Sequence, residues 1–98
     1  MESKTIKIND KEYHVKVAQT EEERQKGLQG VKELKDNEGM WFVFDSPQTV
    51  QFWMKDTEIP LDIIFVDEDY TVISIYKGKP QDETIVEEDN VNYVLELN

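Results

Sequence analysis

Residues 52 to 67, Phe-Trp-Met-Lys-Asp-Thr-Glu-Ile-Pro-Leu-Asp-Ile-Ile-Phe-Val-Asp, are a dense apolar run interrupted by Lys55, Asp56, Thr57 and Asp62. Polar groups in such surroundings need partners, because an unpaired buried charge is far costlier than a lost hydrogen bond. Pro60 pushes Ile59 into an extended conformation, so Asp56 to Pro60 is predicted as a tight connection. Leu61 to Val66 then reads as a central strand with Leu61, Ile63 and Phe65 on one face. Asp62 shares the other face with Ile64 and Val66, and Lys55, Thr57 or a turn amide is its expected partner.

The remaining element signals are short and closely spaced. Ile6 and Ile8 alternate with polar residues, Asn9-Asp10 offers a turn, and Tyr13, Val15 and Val17 resume the alternation, so residues 4 to 18 read as a hairpin. His14 then points away from the apolar face. Thr20 with Glu23 three positions later is a capping box, which starts a helix at Glu21 that Gly27 stops after Lys26. Met40 to Phe44 is apolar at every position, the pattern of a strand covered on both sides, and Asp45-Ser46-Pro47 is expected to end it. A further strand over about 49 to 55 places Val50, Phe52 and Met54 on one face and Gln51, Trp53 and Lys55 on the other. Trp53, set between polar neighbours, is expected to be partly buried with its N–H directed to a partner. Asp67 to Tyr70 is a turn, Thr71 to Tyr76 its strand mate, 84 to 87 a short strand, and Val91, Tyr93, Leu95 and Leu97 alternate through a last one that also carries Val94 on its polar face.

Seven or so short strands and one brief helix predict a mainly β fold on the border of α+β, a largely antiparallel β-sandwich or jelly-roll-like, partly closed barrel. Ninety-eight residues suit a single domain, residues 1 to 98. There is no cysteine, so burial rather than disulfides or thiolate-bound metal must hold it together.

The net charge of −11 is unevenly placed. Residues 1 to 35 hold 8 of the 11 basic and 7 of the 22 acidic side chains, a balance of +1, whereas residues 36 to 98 carry 3 against 15, or −12. Such a field repels phosphate backbones and anionic lipid, which argues against direct nucleic-acid or membrane binding. No stretch has the apolar length of a signal peptide or a membrane span, so cytoplasmic residence is expected, although a leader removed from an exported form would leave no trace.

Val17-Ala18, Thr20, Glu22-Glu23-Arg24, Gly27-Leu28, Gly39-Met40, Phe42-Val43-Phe44 and above all Phe52-Trp53-Met54-Lys55 through Thr57 and Ile59-Pro60-Leu61-Asp62-Ile63-Ile64-Phe65 resemble the domain of unknown function 192 family. The resemblance implies a compact β-sandwich or jelly-roll-like prokaryotic domain, sometimes exported behind a leader, and brings no enzyme activity with it. The family pattern usually continues Gly-Leu-Met-Gly-Arg where this chain has Gly27-Leu28-Gln29-Gly30-Val31, and an asparagine where it has Asp56. A basic group is lost and an acidic one gained.

The leading expectation is a non-enzymatic binding or accessory domain. Its groove would be lined by Trp53, Lys55, Thr57 and Asp62, with Trp41 and Arg24 as further contributors, and would accept a small polar ligand such as a sugar, or a peptide. A second reading takes the acidic two-thirds as a mimic of nucleic-acid phosphates toward a basic partner. A third is an enzyme in which Asp62 and Lys55 form a coupled acid/base pair. No catalytic set, metal cluster or cofactor motif is legible: a single histidine completes no triad, and Asp67 and Asp69 lack the glycine and distal glutamate of a calcium loop.

Overall fold

In the computed structural model, which describes residues 1–98, the chain is mainly β. Six strands and one helix follow in the order β1 (Glu2–Ile8), β2 (Lys11–Ala18), α1 (Glu21–Lys26), β3 (Glu38–Phe52), β4 (Leu61–Val66), β5 (Val72–Gly78) and β6 (Val86–Leu97). All six strands belong to one sheet in the order β1-β2-β3-β6-β4-β5, which is not closed into a barrel. No helix is long and apolar enough to cross a membrane.

The N-terminal hairpin forms as its alternation requires, with Asn9 and Asp10 both at positive φ (49° and 68°) in the two-residue turn. The capping box closes as read. Glu23 N–H donates to Thr20 Oγ1 at 3.1 Å, and the Glu23 carboxylate accepts from the amides of Gln19 (3.0 Å) and Thr20 (3.1 Å). Those amides, that of Gln19 most, hold the Glu23 carboxyl below its ordinary range. Thr20→Ala is expected to cost about 1 kcal/mol in urea unfolding, and Thr20→Ser to restore most of it. Equal stability of all three proteins would show that the cap contributes nothing.

Four of the five strand pairings are antiparallel, and β2–β3 alone is parallel. A parallel pair needs a crossover, and α1 with residues 27 to 37 supplies it. Six helical residues suffice here because β3 returns directly beside β2.

Two expectations merge. Residues 40–44 and 49–55 are one strand through Phe52 rather than two, and the segment near 84–87 joins the last strand, since Phe52 pairs with Val86 and Gly39 with Leu97 on the same ladder. The register breaks between Val43 and Val50. Pro47, which cannot donate to a ladder, falls inside that irregularity, so the strand bends there instead of ending.

The core lies on one face of the sheet. Met40, Phe42, Val50, Leu61, Ile63, Phe65, Val91 and Val94 pack with Met54, Ile59 and Leu28 of the connecting segments. Phe52 meets Phe42 and Phe65 edge-on at 5.1 and 5.8 Å between ring centres. Gly78 makes room for this layer, because a Cβ there would lie 2.5 Å from Met54 Sδ. On the opposite face Trp41, Tyr93 and Tyr70 stack in a row at 5.0 and 4.9 Å.

Candidate functional site

Strand alternation decides which predicted site residues can meet. Trp41 pairs with Leu95 and Asp62 with Leu97 and Lys77, all on the face away from Phe42 and Ile63. Asp62 finds its partner on that face: its Oδ1 lies 2.8 Å from Lys77 Nζ on the neighbouring strand. Neither Lys55 nor Thr57 takes that role. The Asp62–Lys55 acid/base pair does not form, because Lys55 Nζ sits 5.1 Å above the Trp53 ring.

Thr57 is buried in the connection that Pro60 terminates. Its N–H donates to Met54 O at 3.0 Å, its carbonyl accepts from Gln81 N–H at 2.9 Å, and its hydroxyl reaches Lys55 O at 3.5 Å. Asp56, at φ 59°, turns the backbone so that its carbonyl accepts from Gly30 N–H at 3.2 Å, which ties this connection to the segment after α1. Trp53 lies just past the end of β3 and is 42% exposed. Its ring carries Lys55 in place of the expected hydrogen-bond partner for the indole N–H.

Arg24 fixes α1 to the sheet. Its Nη1 donates to Gln19 O at 2.6 Å and Val43 O at 2.9 Å, and the guanidinium lies 5.1 Å from the centre of the Phe44 ring. Between α1 with its Gly27–Gln29 turn and the second half of β3 runs a cleft of about 750 Å³. Arg24, Trp53 and Thr57 line it, with Phe42, Phe44, Val50, Phe52 and Leu28 as apolar walls and Gln25, Gln29, Gln48 and Gln51 among its polar groups. Lys55 borders it through Trp53. Asp62 and Trp41 lie on the other side of the sheet.

The residue that sequence reasoning missed is Glu96. It is 4% exposed and lines the same cleft. Across the sheet its row reads Lys16, Met40, Glu96, Ile63, Tyr76, so its immediate cross-strand neighbours are apolar. Its carboxyl makes no hydrogen bond or ion pair within the protein, and burial alone pushes its pKa up to about 8. Since no fully buried side-chain nitrogen or oxygen lacks a partner, the Glu96 oxygens keep contact with the open cleft. Gly39 holds the backbone at this point, because a Cβ there would lie 2.4 Å from Glu96 O. One signal was available: Val94, two residues before Glu96 on the supposedly polar face, marks that face as covered.

The other polar candidates serve turns and surfaces. The Asp67 carboxylate accepts from the amides of Asp69 and Thr71, each at 2.9 Å, and His14 is an exposed residue whose Nδ1 lies 3.2 Å from Thr5 Oγ1.

A family model described as an uncharacterised ACR matches residues 4–98. The fold is similar to that of a protein from Sinorhizobium meliloti 1021 described as a "putative transcription regulator", with TM-score 0.86 and 35% identity over 89% of this chain and 69% of that one. It is also similar to a protein of unknown function from Novosphingobium aromaticivorans DSM 12444, with TM-score 0.85 and 39% identity over 96% of this chain and 70% of that one. No curated protein matches at a significant level.

Proposed function

Because the chain belongs to the domain of unknown function 192 family, a premise that carries a fold but no reaction, we propose from the cleft itself that the protein is a binding domain for a small polar ligand. The observation that carries this reading is the Glu96 carboxyl, buried, unpaired and facing the cleft. A carboxyl largely removed from water and without a protein partner costs stability unless something repays it, and a ligand bonding to it from the cleft would do so. Aromatic walls beside a few convergent polar groups are the usual composition of a small-molecule site. Catalysis has less support, because the direct cross-strand neighbours of Glu96 are Met40 and Ile63, which neither give nor take a proton.

The test is a fragment screen read by amide and side-chain chemical shifts. Arg24, Phe52, Trp53, Thr57 and Glu96 are expected to respond together, with Lys55 following through its contact with Trp53. Trp41 and Asp62, on the reverse face, should stay still. Responses gathered around Trp41, Tyr93 and Asp62 would relocate binding to the wrong face and remove the proposal.

A further inference from the structure

Resting on the reading of the cleft as a binding site, we propose that its occupant is a small organic cation, an alkylammonium or alkylguanidinium group, for which Glu96 is the counter-ion. Three observations converge on positive charge. The only group on the cleft that is both buried and unpaired is a carboxyl, which becomes an anion when a cation reaches it. The aromatic rings at the cleft already hold the protein's own cations, Arg24 against Phe44 and Lys55 against Trp53, each 5.1 Å from the ring centre. The formal charge of −11 draws cations toward the molecule and repels anions.

The basic groups nearby do not make this an anion site. Arg24 Nη1 is engaged by two backbone carbonyls, at 2.6 and 2.9 Å. Lys26 and Glu21, also on α1, are exposed at the rim and opposite in sign. Lys16, across Met40 in the Glu96 row, is exposed, and Tyr76, across Ile63, is the remaining titratable group of that row. None of them is hydrogen-bonded to Glu96, which leaves its carboxyl free for the occupant. The step is a proton exchange with solvent: Glu96 releases its proton to buffer as the cation enters, and no covalent bond to the ligand forms or breaks. At pH 7 a carboxyl with a pKa of about 8 is mostly protonated, so binding should release close to one proton per ligand, and almost none at about pH 9.5.

The experiment titrates the full chain with agmatine and n-butylammonium as free cations, a blocked Gly-Lys-Gly peptide as a side-chain source, and 1-butanol and methyl β-glucoside as neutral probes. It follows the Glu96 carboxyl carbon by NMR and proton release by calorimetry in buffers of different ionisation enthalpy. The cations are expected to bind, to move the Glu96 signal to its ionised position, and to lose roughly tenfold or more in affinity in the isosteric Glu96→Gln. Binding by the blocked peptide with the same Glu96 signal would identify a lysine side chain as a source of the cation, and binding by agmatine alone a free amine. If the neutral probes enter the cleft and the cations do not, the cation assignment fails while the cleft remains a binding site. Cation binding without proton release and unchanged in Glu96→Gln would place the charge on the general acidic surface and also overturn the assignment. Silence of the cleft resonances toward every probe would remove both readings.

Discussion

Phe42→Ala is expected to lower stability by about 3–5 kcal/mol, the largest loss for any single truncation at the cleft. Phe42 is fully buried, and its row across the sheet runs Ala18, Phe42, Val94, Phe65, all four of which belong to the same core layer. Its ring meets the Phe52 edge at 5.1 Å, and its Cζ would lie 3.5 Å from a Cβ placed on Gly27. Neighbours held by strand hydrogen bonds and by the Arg24 clamp on α1 cannot collapse into the vacated space, so the cavity cost adds to the lost transfer energy. A domain of this size has a net stability of roughly 5–10 kcal/mol, so this one substitution removes a large fraction of it. Trp41→Ala, one residue earlier but only half-buried on the reverse face, is the control and should cost clearly less, although it removes a larger ring. Urea midpoints measure both. A Phe42→Ala loss below about 1 kcal/mol, or the reverse order of the two variants, would contradict the placement of the core on the α1 side of the sheet.

That placement was legible from the residues, whereas the site was so only in part. Local rules identified what is local: Asn9-Asp10 as a turn, Thr20 and Glu23 as a helix start, Pro60 as the end of a connection, and Leu61, Ile63 and Phe65 as one buried face. What escaped depends on pairing between distant segments. Asp62 reads as a partner for Lys55 or Thr57 because they are near in sequence, yet the strand register sets it against Lys77, which follows in β5. Pro47 reads as a strand end, but β6 runs past it and carries the ladder across a bulge. Glu96 escaped for the same reason. In an alternating strand a glutamate between Leu95 and Leu97 looks solvated, and only the pairing of β6 with β3 on one side and β4 on the other sets it on the core face, at the cleft that α1 and its turn also line. The strand period assigns a residue to a face; which face is covered is a tertiary fact.

The buried carboxyl gives the second large effect, which appears only when pH is varied. Glu96 holds its proton more tightly in the folded protein, with a pKa near 8 against an ordinary 4.5, so between those two values the folded state binds more protons than the unfolded one. Stability therefore falls as pH rises. The contribution of the neutral acid is fully present below about pH 4.5, declines through the window, and is lost as pH rises through about 8 and the folded-state carboxyl ionises too. Glutamine has nearly the same shape and no proton to lose, so Glu96→Gln should match wild type near pH 5 and exceed it increasingly above that. At about 1.4 kcal/mol per pH unit the gap should reach roughly 3–5 kcal/mol by pH 8.5. Subtracting the two pH profiles isolates this one group, because every other acid and His14 are common to both proteins. Urea unfolding at intervals from pH 5 to 9 provides the measurement. Parallel profiles would mean that Glu96 ionises in the folded state as readily as in the unfolded chain, and the release of close to one proton per ligand proposed for cation binding at pH 7 would then vanish.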